Sequence, residues 1–363
     1  MQPASKSQNI LVTKKKPSFP VSPVLRDYLV EFNRERKLPI SYRQLMRFKN
    51  SVPLYNKEGQ DTLWETVGYD AHEVADINNG LREIYAILRA DGNMDLIHHL
   101  YVDRIDYCTF GNSNPFRIRI VNAQNDNYDY YYVKSADASR LYGLELEHLL
   151  SPNRMHYLTH ENTLIEEHVV GIPGDVFIAE WLTRREINPV RMGKELIKFN
   201  ERCFIRLLGD MRSYNFVVDI TPDIEDFQIR IRSMDFDQQS YSGRKNFYLP
   251  QFFKENRNLA MYCLENLDPD SIVQYQREEH ALIVRRIQAI QERLNTLLHT
   301  MENDTISEHR KVVELREALA EHHEASEFLK CDRMGAIVRT SLKLLTQRTP
   351  KPADYDSDPS FML

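Results

Sequence analysis

Residues 203–238 read CFIRLLGDMRSYNFVVDITPDIEDFQIRIRSMDFDQ, and the order of residue types in this stretch decides the fold. A helix end runs into the polar loop GDMRSYN. FVVDI and FQIRIRSM follow, rich in β-branched and aromatic residues, with DITPDIED as turn chemistry between them. That pattern predicts a β-hairpin. Asp210 and Asn215 bracket the loop, and the hairpin returns Asp235 beside them. Three oxygen-bearing side chains on one spot suit a hard cation that bridges phosphate oxygens. Asp and Asn also bracket turns for a local reason, because both bond their own backbone there, so the upstream chain has to decide.

Upstream, residues 101–134 change to a strand period. IDYCTF leads to the turn GNSNP, FRIRIV alternates, and NAQNDN turns into YDYYYVK, a three-stranded meander ending on Lys134. SADASRLYGLELEHLLSP then reads as a helix with an acidic centre. Glu145 and Glu147 stand two residues apart on different faces, so one of them points inward, and Leu144 and Leu150 flank Glu147. NTLIEEHVVGIPGDVF fits a strand that ends at a Gly-Ile-Pro-Gly bend. From Pro189 an amphipathic helix delivers the chain into the Asp210 loop.

In this order of parts, over residues 101–240, the chain resembles the protein-kinase-like superfamily. The Asp-Phe-Asp triplet and its long gap from Asn215 look more like the aminoglycoside and choline phosphotransferase branch than protein kinases. The resemblance implies an α+β, two-lobed fold with a small β-rich N-lobe and a mainly helical C-lobe. It also implies ATP and Mg2+ as cofactors and transfer of the γ-phosphate to a hydroxyl of a small molecule or a protein. Asp210 would act on the acceptor hydroxyl, and Arg212 would touch the transferred phosphate. Asn215 and Asp235, joined by Asp237, would hold metal. The turn Gly111, Asn112, Ser113 would cover the phosphates, with Lys134 holding them and Glu147 or Glu145 pairing that lysine. Backbone from Glu167 to Val169 would meet the adenine. Leu208 stands where the family has His or Tyr, and the phosphate turn has one glycine, Gly111. These departures keep two alternatives open: a pseudokinase acting as a nucleotide-binding or scaffold protein, and adenylyl transfer with the nucleotide reversed.

Composition bounds the rest. With 363 residues, 42% hydrophobic and 28% charged, the chain suits two domains or one two-lobed domain with extensions. A net charge of −6 argues against nucleic acid as the main partner. Cys108, Cys203, Cys263 and Cys331 match no metal spacing and read as reduced thiols. No apolar run reaches membrane-spanning length and no signal-peptide core opens the chain, so the expectation is a cytoplasmic protein without a membrane partner.

The expected organisation is a flexible tail over 1–22, a helical subdomain over 23–100, the N-lobe over 101–170, the C-lobe over 171–268, a helical hairpin over 269–348 and a disordered tail over 349–363. In the second of these, VLRDYLVEFNRER and the Ser41-capped SYRQLMRF precede a helix starting at Asp70, with Glu73 completing a capping box. Near the end, Ile283, Ile287, Ile290, Leu294, Leu297 and Met301 form a coiled-coil-like seam. A Thr305–Glu308 capping box then predicts a second helix carrying Val312, Leu315, Leu319 and Leu329. Such a hairpin is free to pack on the lower lobe, to self-associate or to take a partner helix.

Overall fold

Alternating strands around residues 101–134 build a sheet larger than the sequence indicates. The computed structural model describes residues 16–110, 113–223 and 227–349. The expected tails therefore fall largely outside the described residues. β3 (Leu100–Cys108), β4 (Phe116–Asn122) and β5 (Tyr128–Ser135) form the meander, and β6 (Tyr157–His160) and β7 (Thr163–Glu167) join beyond β5. On the other side come β2 (Asp61–Gly68) and, at the edge, β1 (Asn50–Tyr55), giving the order β1-β2-β3-β4-β5-β7-β6 with every pair antiparallel. Residues 23–100 are thus not the purely helical subdomain expected. Both strands they supply are largely unburied, and Pro53 sits in β1, the edge strand, where proline is tolerated.

The helical expectations in that region hold more closely. α1 (Pro23–Glu31) and α2 (Tyr42–Leu45) form, and Ser41 with Gln44 makes a reciprocal capping box. α3 (Ala71–Arg89) buries Ile77, Leu81 and Ile84, but Asp70 makes no cap bond and pairs with Lys49 at 3.5 Å instead. These residues and the sheet share one apolar cluster; a second runs through the helical remainder. The architecture is α+β.

α4 (Ala138–Leu150) follows β5 and is buried on nearly every side. The chain then passes through β8 (Ile172–Pro173), α5 (Gly174–Glu180) and α6 (Pro189–Arg206) to the expected hairpin, β9 (Phe216–Pro222) and β10 (Phe227–Ser233), paired in register from Phe216–Ser233 to Pro222–Phe227. α7 (Arg257–Glu265), α8 (Pro269–Ala289), α9 (Gln291–Asn303), α10 (His309–His323) and α11 (Met334–Arg348) complete it. The expected seam breaks at Ile290, and the last helical hairpin is really four helices. Thr305 Oγ1 accepts from Arg333 (2.7 Å) rather than capping, so α10 starts at His309, and Leu329 is exposed in a 3-10 turn. Ile283, Leu294, Leu297 and Met301 are buried within this chain, in the same apolar cluster as residues of α4, α6 and α11. Among the described residues no helix is long and apolar enough to cross a membrane.

A helix sunk this deeply cannot leave charges unpaired. Glu145 accepts from Tyr28 Oη (2.6 Å), Tyr157 Oη (2.7 Å), Arg34 Nε (2.8 Å) and Arg293 Nη2 (2.7 Å), which fastens α1, β6 and α9 to α4. Burial pushes its proton affinity up, but Arg34 and Arg293 outweigh it and hold the carboxyl at about 2, against an ordinary 4.5. Glu145→Gln is expected to lose about 3–5 kcal/mol in urea denaturation, because two guanidinium groups lose their anion. Since the folded value lies below the unfolded one, this contribution is complete above pH 4.5 and disappears as pH falls toward 2. The native protein should therefore lose more stability across that interval than the variant, which titrating denaturation midpoints will show.

Candidate functional site

β5 carries Lys134 as its penultimate residue, β7 ends at Glu167 and β10 runs out into Asp235. These three ends and the first turn of α4 enclose a cavity of about 310 Å³. Ser113, Lys134, Glu167, Val169, Asn215, Asp235 and Asp237 all line it, so these sequence-derived residues share one space. Trp64, Tyr132, Met155 and Met234 give it an apolar side fit for a planar ring. Gly111 and Asn112 lie outside the described residues.

The pairing of Lys134 differs from expectation. Its Nζ meets Glu166 Oε2 at 2.6 Å, not a glutamate of α4. In the ladder Lys134 stands opposite Leu164, so Glu166, two residues on, presents on the same face as a diagonal neighbour. Glu145 is committed as described above, and Glu147 accepts from Arg206, Ser151 Oγ (2.5 Å) and Asn153 Nδ2 (3.3 Å). Despite burial, Arg206 and Ser151 hold Glu147 below the usual carboxylate range. Neither glutamate reaches the cavity. Glu167 lines it, but its side chain meets Arg89 (3.2 Å) and its N–H donates to His156 O (3.1 Å).

The residue of α4 that faces the cavity is Arg140, with its side chain 2% exposed. Its Nε donates to Asp237 Oδ1 (2.9 Å), Nη1 to Glu166 Oε1 (3.2 Å), and Nη2 to Asp235 Oδ1 (3.2 Å) and Ser113 Oγ (3.3 Å). Asp235 also accepts the Asp237 N–H at 3.1 Å. Burial and the neighbouring Asp237 push the Asp235 carboxyl up, while at Asp237 burial is overcome by Arg140, Lys134 and Lys16 together, which draw its carboxyl down. Sequence reading missed Arg140 and the role of Glu166. The available signal was position: Arg140 opens the helix directly after Lys134, and Glu166 sits in the strand that pairs with it.

Asp210 and Arg212 stand beside the cavity rather than in its wall. α6 ends with Leu207 at φ 55°, where Leu208 N–H closes back to Cys203 O (2.9 Å), and Asp210 adopts φ 61°. Left-handed Leu is costly, of order 1–3 kcal/mol; here Leu207 is fully buried and its carbonyl accepts the Ser240 N–H (2.8 Å). Asn215 Nδ2 donates to Asp210 O (2.7 Å), leaving the amide oxygen as its free acceptor. Arg212 Nε meets Asp210 Oδ1 (2.7 Å) and its Nη1 meets Glu255 Oε1 (2.9 Å). Burial nevertheless raises the Asp210 carboxyl above its ordinary value, with Glu255 and Asp237 adding to the effect.

Asn215, Asp235 and Asp237 offer the oxygen ligands a hard cation takes, so their chemistry fits magnesium. Their arrangement is tempered by Arg140, which already supplies a cation to both aspartates. Among the described residues, the three-group His/Cys/Asp/Glu cluster close enough for metal is Asp70, His72 and Glu73 at the start of α3, outside this cavity.

No family model matches the chain, and no curated protein does. Among solved structures it is similar to "Titin kinase and its flanking domains", at 13% identity and a TM-score of 0.26, over 68% of this chain and 55% of that one. This chain thus matches little more than half the length of that structure.

Glu166→Gln removes the carboxylate shared by Lys134 and Arg140. It is expected to cost about 1–3 kcal/mol in urea denaturation. With its anion gone, the Lys134 amine should also be acylated faster at pH 8 than in the native protein, read by peptide mass spectrometry.

Proposed function

We propose that the cavity is the nucleotide site of a kinase-like phosphotransferase, which moves the γ-phosphate of ATP to a hydroxyl of a small molecule or a protein. One observation supports this most: Ser113, Lys134, Asn215, Asp235 and Asp237, far apart in the chain, line the same cavity. In this reading the sheet side is the N-lobe and the helical side the C-lobe. The base would lie against Trp64, Tyr132 and Met155. Glu167 N–H is spent in the chain, so the backbone of Val169 is the better candidate for the adenine edge. Lys134 and Ser113 would hold phosphate oxygens.

Asn215, Asp235 and Asp237 would hold a magnesium ion, which when bound neutralises phosphate charge. Asp210, at the mouth, would orient the acceptor hydroxyl and take its proton, and its raised proton affinity suits a base. Arg212 steadies Asp210 and could reach a transferred phosphate only by leaving Glu255. A second reading, a nucleotide-binding scaffold without transfer, is favoured by Arg140, whose guanidinium already balances Asp235 and Asp237.

Thermal melts with ATP, with and without Mg2+, test the site. Ligand at a hundred times its Kd stabilises the folded state by about 2.7 kcal/mol, a rise of several degrees. The rise is expected with Mg2+ in the native protein and not in Asp235→Ala. No shift at millimolar ATP would refute the reading. Asp210→Asn is expected to abolish transfer while leaving the ATP-induced rise intact, and binding without any phosphorylated or adenylylated product by mass spectrometry favours the scaffold.

A further inference from the structure

The carboxylates assigned to metal are already bridged. Arg140 spans Asp235 and Asp237 with one guanidinium, and a third arm ties it to Glu166. With its side chain 2% exposed, Arg140 has no route by which water could take the place of these anions. A planar fork of five N–H donors suits such multiple carboxylate contact, which a lysine could not reproduce. A divalent ion seated on the same two aspartates would stand beside that guanidinium, and like charges at contact distance in a buried site repel strongly.

We propose that Arg140 is the resident cation of the Asp235–Asp237 pair, and that a divalent ion binds these carboxylates only by displacing it. The local charge count agrees. Lys134 and Arg140 face Glu166, Asp235 and Asp237, leaving one negative charge in excess where a divalent ion without Arg140 would find two. Arg140 therefore keeps metal affinity low in the empty cavity. The proposal deepens the reading of the same cavity as a nucleotide site but depends on metal alone, so it survives if ATP does not bind.

Mn2+ titration without nucleotide at pH 8, followed by the electron paramagnetic resonance of free Mn2+, provides the test. Arg140→Met should bind Mn2+ at least tenfold more tightly than the native protein, and adding Asp237→Asn should remove the gain. A folded Arg140→Met, checked by circular dichroism, that binds no tighter overturns the proposal. So does a gain that persists in the double variant, because the ion then sits elsewhere. If Arg140→Met does not fold, Arg140→Gln, which also removes the charge but keeps a polar side chain, decides alone: a several-fold gain supports the proposal and no gain overturns it.

Discussion

Charge sunk in an apolar helix is the constraint on which this structure depends. α4 is enclosed on nearly every side, yet it carries Arg140, Glu145 and Glu147, all buried. An isolated ion in such surroundings is prohibitively unfavourable, so each must find opposite charge on a neighbouring element. Each does so in a different direction. Arg140 reaches the ends of β7 and β10, Glu145 reaches α1 and α9, and Glu147 reaches the end of α6. The sheet, the helical body and the flanking segments are thereby set against one helix.

The cavity inherits its geometry from this arrangement. Arg206, held by Glu147, is the last residue of α6, and Leu207 turns left-handed directly after it, three residues before Asp210. Lys134 is oriented through Glu166, which shares its carboxylate with Arg140. α4 thus reaches both sides of the cavity, while the glutamate that touches the lysine comes from β7 and not from that helix. Relative to what the kinase resemblance implies, the lysine keeps its strand, its glutamate lies on β7, and the helix contributes an arginine.

Legibility of the sequence followed the strength of local patterns. The meander over 101–134 and the hairpin after Asn215 were readable, since period-2 alternation and turn residues mark them redundantly. β1 and β2 were not, because only Val67 among their residues is buried and Pro53 argues against a strand. The convergence of Lys134, Asn215, Asp235 and Asp237 was legible from their order. The partner of Lys134 was not. In a helix buried all round, periodicity cannot say which charge faces which wall, so Glu145 and Glu147 looked better placed than Arg140. Ile283, Leu294, Leu297 and Met301 are buried although the seam breaks at Ile290, but sequence alone could not tell apolar positions covered by their own chain from ones left for a partner.

The Glu145 cluster has a kinetic side. Arg293 Nε donates to Tyr28 Oη across 265 positions, and both converge on a carboxylate in the middle of the chain. Joining such distant segments incurs loop-closure entropy before any contact compensates for it, and folding slows as contacts become more remote in sequence. α1 and α9 cannot lock until the chain between them has been made, so a nascent chain would hold Tyr28 and Glu145 without their guanidinium from α9. The final ordering of α4 is thus tied to the synthesis of a segment far downstream of it.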